Sequence, residues 1–213
     1  MRVRPLLSLV PVILAVALAA TGPAAAAQPG TLSAAEYQQL HTAQKRIRSI
    51  APSDTRNLAT ARSICTRMRP VSRLIADVRR GCLALVRLGG DNAKLNAQAT
   101  KCGINPGSEQ ALLTCLIPTV RGFHADAEAF YQAESAVNRL ARHRGFGSRC
   151  VAVIGDSPGN VAAEGRLAGD LQAAVNALAH QDPGALQTLS ANIKRDADAI
   201  RPAPRSLTFC PRR

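Results

Sequence analysis

Six cysteines, Cys65, Cys82, Cys102, Cys115, Cys150 and Cys210, constrain this chain more than any other feature. No two of them form C-x-x-C, so neither a thioredoxin-like redox pair nor a zinc knuckle is signalled. Whether an even set of thiols pairs depends on the compartment. Disulfides persist in oxidising surroundings and are rare in the cytosol.

The start of the chain indicates the compartment. Arg2 and Arg4 precede an apolar stretch from Leu6 to Ala20, which leads to Ala24-Ala25-Ala26-Ala27. Basic, apolar and small-residue segments in that order predict a secretory signal peptide over residues 1–27. The apolar part is shorter than the roughly 20 residues a membrane span needs. The first cysteine lies far from the cleavage point, so lipid attachment is not expected, nor is a transmembrane segment in the mature chain. Residues 28–213 then read as a single exported domain, long enough to bury roughly 70% of its unfolded surface. It ends in a short basic, proline-containing tail.

Within that domain apolar residues recur at three- and four-residue steps, the helical period. Ser33 and Glu36 have capping-box spacing, and Tyr37, Leu40, Ile47 and Ile50 would be the buried stripe of a first helix ending at Ala51-Pro52. A second helix is predicted from Ser53-Asp54 to Leu88, kinked at Pro70 and stopped by Gly89-Gly90. A short segment from Asp91 to Thr100, a loop from Cys102, and a short helix from Ser108 interrupted by Pro118 should follow. A long helix from Thr119 to Arg144 carries Phe123, Ala127, Phe130, Val137, Leu140 and Ala141 on one side and ends at Gly145 and Gly147. Strand character is confined to Cys150–Ile154. Ser157-Pro158 and Asp182-Pro183 read as caps followed by proline at the first helical position, opening two final helices. The expected class is all-α, an antiparallel bundle of about five to six helices stapled by disulfides.

Geometry orders the possible pairings. An antiparallel hairpin of the last two helices brings Cys150 and Cys210 to one end, so this is the favoured pair. In one continuous helix Cys65 and Cys82 would lie about 25 Å apart, at 1.5 Å per residue, too far for a disulfide, and a fold-back at Pro70 would still disfavour the pair by leaving the two at unequal distances from the bend. A reversal at Gly89-Gly90 favours Cys82–Cys102 with Cys65–Cys115.

The stretch Val151-Ala-Val-Ile-Gly-Asp-Ser157 is similar to the nucleophile block of the GDSL-type esterases. Such an enzyme needs a sheet around its serine and a D-x-x-H near the far end of the chain. Only His180 follows Ser157, and Ala177 stands where the aspartate should be. A serine without a base has no acceptor for its proton, whereas a cap meets its requirements locally. Glu128 and Glu134 are six apart, and Asp196 and Asp198 two apart, so neither pair shares a helix face; they read as solvated carboxylates. His41, His124, His143 and His180 are scattered. No catalytic residue, metal site or cofactor is expected.

Arginine then becomes the main functional signal. Without residues 1–27 the chain keeps 25 basic residues against 14 acidic ones, a net charge of +11 with histidines neutral. Arg62, Arg69, Arg73, Arg80 and Arg87 fall within roughly a 40° sector of one helix at 100° per residue, opposite Ile64, Met68, Leu74, Ile75 and Val78. An ordinary solvent face would look similar, but five guanidinium groups in line, offset only by Asp77, also suit a phosphate or carboxylate polymer. A second cluster, Arg139 to Arg149 around Phe146, complements the C-terminal end of a helix dipole. One aromatic is a poor stacking platform, so nucleic acid is disfavoured against anionic envelope polymers or lipid headgroups. Two alternatives stay open: a bundle enclosing a small apolar ligand against Phe123 and Phe130, and a hydrolase using Ser157. Oligomeric state is not legible in the sequence.

Overall fold

The computed structural model describes residues 30–48, 55–104, 109–201 and 206–212. The predicted signal peptide, the expected helix end at Ala51-Pro52 and the prolines Pro202 and Pro204 lie outside these residues. Among the described residues there are seven α-helices: α1 Ala34–Arg48, α2 Thr55–Arg67, α3 Arg73–Ile104, α4 Glu109–His143, α5 Ser148–Ile154, α6 Pro158–His180 and α7 Pro183–Ala199. A 3-10 turn, Leu207–Phe209, follows. The all-α class and the disulfide staples are as expected.

Neighbouring helices run antiparallel, because contact partners advance along one helix as they recede along the next. On α3 and α4, Arg87 meets Asp126 and Gln98 meets Cys115. On α6 and α7, Asn160 bonds Arg201 just past the end of α7, and Arg166 bonds Asp196. Helices α3, α4, α6 and α7 thus pack side by side in chain order. The main core joins α1, α2, α3, α4 and α5 through Leu40, Ile64, Leu74, Ile75, Val137, Val153 and Ile154. A second cluster, around Val120, Val175 and Leu178, lies further along α4 and α6.

Local signals set several boundaries. Ser33 accepts the Glu36 N–H while the Glu36 carboxylate accepts the Ser33 N–H, a closed capping box at α1. Gly145, at φ 78°, takes the left-handed position after α4, where a side chain would be strained. Asp182 accepts the Ala185 N–H at the start of α7, with Pro183 beside it.

Four expectations need correction, each because packing overrode a local preference. Pro70 does not kink one helix; it lies in a non-helical connection, residues 68–72, between two helices. Gly89-Gly90 does not stop α3, which continues through both. The cost of roughly 1 kcal/mol per glycine is outweighed by burial of Val86 before them and by Leu88 and Leu95, which pack on clusters shared with α4 and α6. Pro118 likewise stays inside α4, with Leu113, Leu116, Ile117 and Val120 holding both sides against α6. Cys150–Ile154 is the buried helix α5, not a strand.

The disulfides are Cys65–Cys82, Cys102–Cys115 and Cys150–Cys210. The third is the pair favoured from sequence; the Cys82–Cys102 and Cys65–Cys115 pairings are wrong. With α3 unbroken, Cys82 and Cys102 are about 30 Å apart along one helix. Cys65 reaches Cys82 because α2 returns antiparallel to α3, with 5.7 Å between the two Cα atoms. The five connecting residues can span up to about 3.3 Å each against 1.5 Å in a helix. That difference offsets the unequal distances of the two cysteines from the bend.

The two ends of the described chain meet. Leu32 donates its N–H to the Pro211 carbonyl at 2.9 Å. Arg144 makes a two-pronged ion pair with Glu36 at 2.8 and 3.0 Å and also donates to the Thr31 carbonyl. Burial alone would raise the Glu36 carboxyl, but its hydrogen bonds from Arg144 and the Ser33 N–H hold it below its ordinary value. Among the described residues no helix is long and apolar enough to cross a membrane.

Candidate functional site

The described residues present two features with chemistry: a basic elbow on the surface and a carboxyl cluster inside.

The elbow is where α2 turns into α3. From Thr55 to Ala76 the sequence holds five arginines and no acidic residue. Arg62, Arg67, Arg69 and Arg73 are exposed there. Among the described residues, no carboxylate pairs with Arg62, Arg69 or Arg73, and Arg67 donates to Ser63 Oγ at 2.8 Å. Ala61, Ile64, Cys65 and Met68 form the buried side of the same segment. The Cys65–Cys82 bond and an Arg79 hydrogen bond to the Thr66 carbonyl tie the elbow to α3.

The five-arginine stripe is therefore not one continuous helix face. Arg62 lies on α2, Arg69 in the connection, and Arg73, Arg80 and Arg87 at heptad spacing on α3. The last two are already engaged. Arg80 pairs with the buried Asp77, and Arg87 with Asp126 of α4. Beside the elbow a groove of about 340 Å³ lies between α1 and α2, with Ala43, Ile64 and Met68 buried in its floor and Gln38, Thr42 and Arg67 exposed at its rim. In the second arginine cluster, Arg144 is consumed by Glu36, and its guanidinium lies 5.0 Å from the Phe146 ring centre.

Ser157 is the N-cap of α6. Its side chain accepts the Asn160 N–H at 3.2 Å, and its own N–H donates to the Asp156 carboxyl at 2.7 Å. Phe130 is buried, and Phe123 packs against Ala127, Ala168 and Leu171.

Asp156 belongs to a larger arrangement. Glu134 on α4, Asp156 in the α5–α6 junction and Glu164 on α6 are only 1%, 1% and 4% exposed. Close approach is possible because of two glycines. A Cβ on Gly81 of α3 would sit 2.7 Å from Glu134 Oε1, and one on Gly155 would sit 2.6 Å from Val137 Cγ1 and 3.1 Å from Glu134 Oε2. Asn138 donates to the Asp156 carbonyl at 2.8 Å. Asn160 donates to the Asp156 carboxyl and to the Arg201 carbonyl, and accepts the Arg201 N–H.

Among the described residues no cation pairs with the three carboxyls, and Glu134 Oε2, both Glu164 oxygens and Asn138 Oδ1 have no hydrogen-bond partner when the acids are ionised. Burial therefore favours the neutral forms. Burial and then the charge of Asp156 push Glu134 up to about 8. Burial raises Asp156 despite hydrogen bonds from the Ser157 N–H, Glu164 and Asn160. Burial and then the charges of Glu134 and Asp156 raise Glu164 well above its ordinary value. Asp156 and Glu164 lie as hydrogen-bond partners, which requires a proton on one of them, since two ionised carboxylates have no donor. Among the described residues no three histidine, cysteine or acidic side chains are placed to hold a metal ion.

Spacing alone read Glu134 and Asp196 as solvated carboxylates, and the structure buries both, Asp196 against Arg166 and Arg195; Glu128, half-buried, accepts from Gln132. The missed signal was position. Glu134 fills the gap between Phe130 and Val137 on the apolar stripe of α4, and Glu164 stands three residues after Val161 and seven before Leu171 on α6. No protein-family model, no characterised protein and no solved structure matches the chain.

Proposed function

We propose that this chain is an exported, disulfide-stabilised, non-catalytic helical protein that binds an anionic surface through the elbow between α2 and α3. The supporting observation is the run of exposed arginines Arg62, Arg67, Arg69 and Arg73 in a segment with no acidic residue. Guanidinium groups bind phosphate and carboxylate in forked geometry and are weakly hydrated, so they give up water readily on contact. Three disulfides suit the oxidising space outside the cytosol. The partner is defined by its chemistry, a dense array of phosphates or carboxylates such as lipid headgroups or an envelope polymer. Arg80 and Arg87 extend the positive field along α3 but are less available, since each already holds a carboxylate.

Vesicles containing phosphatidylglycerol and a soluble polyglutamate separate the lipid from the polymer source. Binding to at least one should be strong at low salt and weaken as the screening length shortens from about 30 Å at 0.01 M to about 8 Å at 0.15 M. Reversing Arg62, Arg69 and Arg73 to glutamate should abolish it with thermal unfolding nearly unchanged. Arg80 is unsuitable for this test, because its reversal strands the buried Asp77. Absence of binding to both probes at low salt would sink the proposal.

A further inference from the structure

The interior acids are independent of the surface arginines. A folded protein does not bury three carboxyls without cations unless protons neutralise them, and such protons are exchangeable with the solvent. We propose that Glu134, Asp156 and Glu164 form a proton-held latch that closes the joint of α4, the α5–α6 junction and α6, and that loss of those protons opens it and frees the end of α7 at Arg201.

The geometry carries this in three ways. Glu134 comes from α4, while Asp156 and Glu164 stand just before and within α6, so the charge on Glu134 repels the other two across a packing interface. The joint has no slack, since Gly81 and Gly155 place backbone against the Glu134 carboxyl. The cluster also has an outlet: Asp156 holds Asn160, and Asn160 holds both the N–H and the carbonyl of Arg201. Asn138 contributes an unpartnered oxygen at the same place, independent of any ionisation.

Among the described residues, none of the surrounding cations pairs with the cluster. On α3 the residue against Glu134 is Gly81, and the nearest charged side chains in sequence that form a pair, Asp77 and Arg80, are bonded to each other. Arg79 donates through one terminal nitrogen to the Thr66 carbonyl, and its Nε is buried without a hydrogen-bond partner. On α4, Tyr131 packs on Gly165 of α6. On α5, Arg149 lies over the Phe209 ring and Cys150 is in a disulfide. On α6 and α7, Arg166 and Arg195 both hold Asp196, Lys194 holds Asp198, and Asp170, further along α6, keeps one carboxyl oxygen buried without a partner.

The sign of the pH dependence follows from raised carboxyls. Between about pH 4.5, where an exposed glutamate ionises, and about pH 8, where Glu134 does in the closed joint, the closed form binds more protons than the open one. Closure is therefore fully stable at the acid end of that window and is lost progressively across it.

Hydrogen exchange of residues 155–164 and 197–201 is the test, followed by mass spectrometry from pH 5 to pH 9 and corrected for base catalysis of the chemical step. In the unaltered chain opening should increase with pH, by up to about tenfold per pH unit for each carboxyl that sheds its proton on opening. Glu134→Gln and Glu134→Gln with Glu164→Gln keep the shape of the protonated acids, and should flatten the profile in turn. Equal pH slopes in the unaltered chain and the double variant would overturn the latch. So would opening at pH 7 that a chelator increases and added calcium reverses, since a cation would then be holding the acids. If the glutamines impair folding, carboxyl carbon shifts in the unaltered chain decide instead. Ionisation of Glu134 near pH 4.5 would refute the latch, and ionisation several pH units higher would support it.

Discussion

Ser157 shows how one residue changes meaning between sequence and structure. Its oxygen accepts the N–H of Asn160, three residues on, and satisfies one of the free donors at the start of α6. Ser157→Ala should lower stability by about 1 kcal/mol, the usual size of a lost N-cap, as read by denaturant unfolding. Any background hydrolysis of a generic ester should be unchanged; a loss of turnover would reinstate the serine as a nucleophile. The cap was legible because its whole logic is local: Asp156, Ser157 and Pro158 stand in sequence at the positions a helix start requires. Glu134 was only half legible. Its place on the apolar stripe of α4 is a property of spacing, but its partners Asp156 and Glu164 arrive from other segments.

Helices α2 and α3 show the limit of punctuation. Gly89-Gly90 and Pro70 are the strongest breakers in this region, yet only the second interrupts the helix. The difference lies in what flanks them. Leu85, Val86 and Leu88 precede the glycines, Leu95 follows them, and α4 lies alongside, so continuing the helix buries apolar surface on both sides. Pro70 sits between Arg69 and Val71 at an exposed corner where its missing N–H and ring clash find no such compensation. A Cβ added at Gly90 would meet nothing within 4 Å. Gly90→Ala should therefore raise stability by about 0.5–1 kcal/mol by restricting the unfolded chain and favouring the helix, measurable as a higher unfolding midpoint. An unchanged or lower midpoint would mean that α3 is not helical there in solution.

At the scale of the whole molecule, stability should have an acid arm and an alkaline arm with different causes. Glu36 is held below its ordinary value by Arg144 and Ser33, so its contribution is present above about pH 4.5 and lost as pH falls through its folded value. The buried cluster acts in the opposite sense, losing stability as pH rises toward 8. Melting temperature should pass through a maximum between the two, and Glu36→Gln should lower that maximum and make the acid arm shallower. A melting temperature independent of pH from 3 to 9 would contradict both assignments. By itself the sequence determined the helical class, the capping box at Ser33, the caps at Ser157 and Asp182, the turn at Gly145 and the Cys150–Cys210 pair. Each of these depends on residues close in sequence or on a simple hairpin. Only the tertiary structure decided the remaining disulfides, the division of the arginine stripe at the elbow and the meeting of Glu134, Asp156 and Glu164. Those depend on how segments distant in sequence stack, and the packing that joins them outweighs local preferences of about 1 kcal/mol per residue.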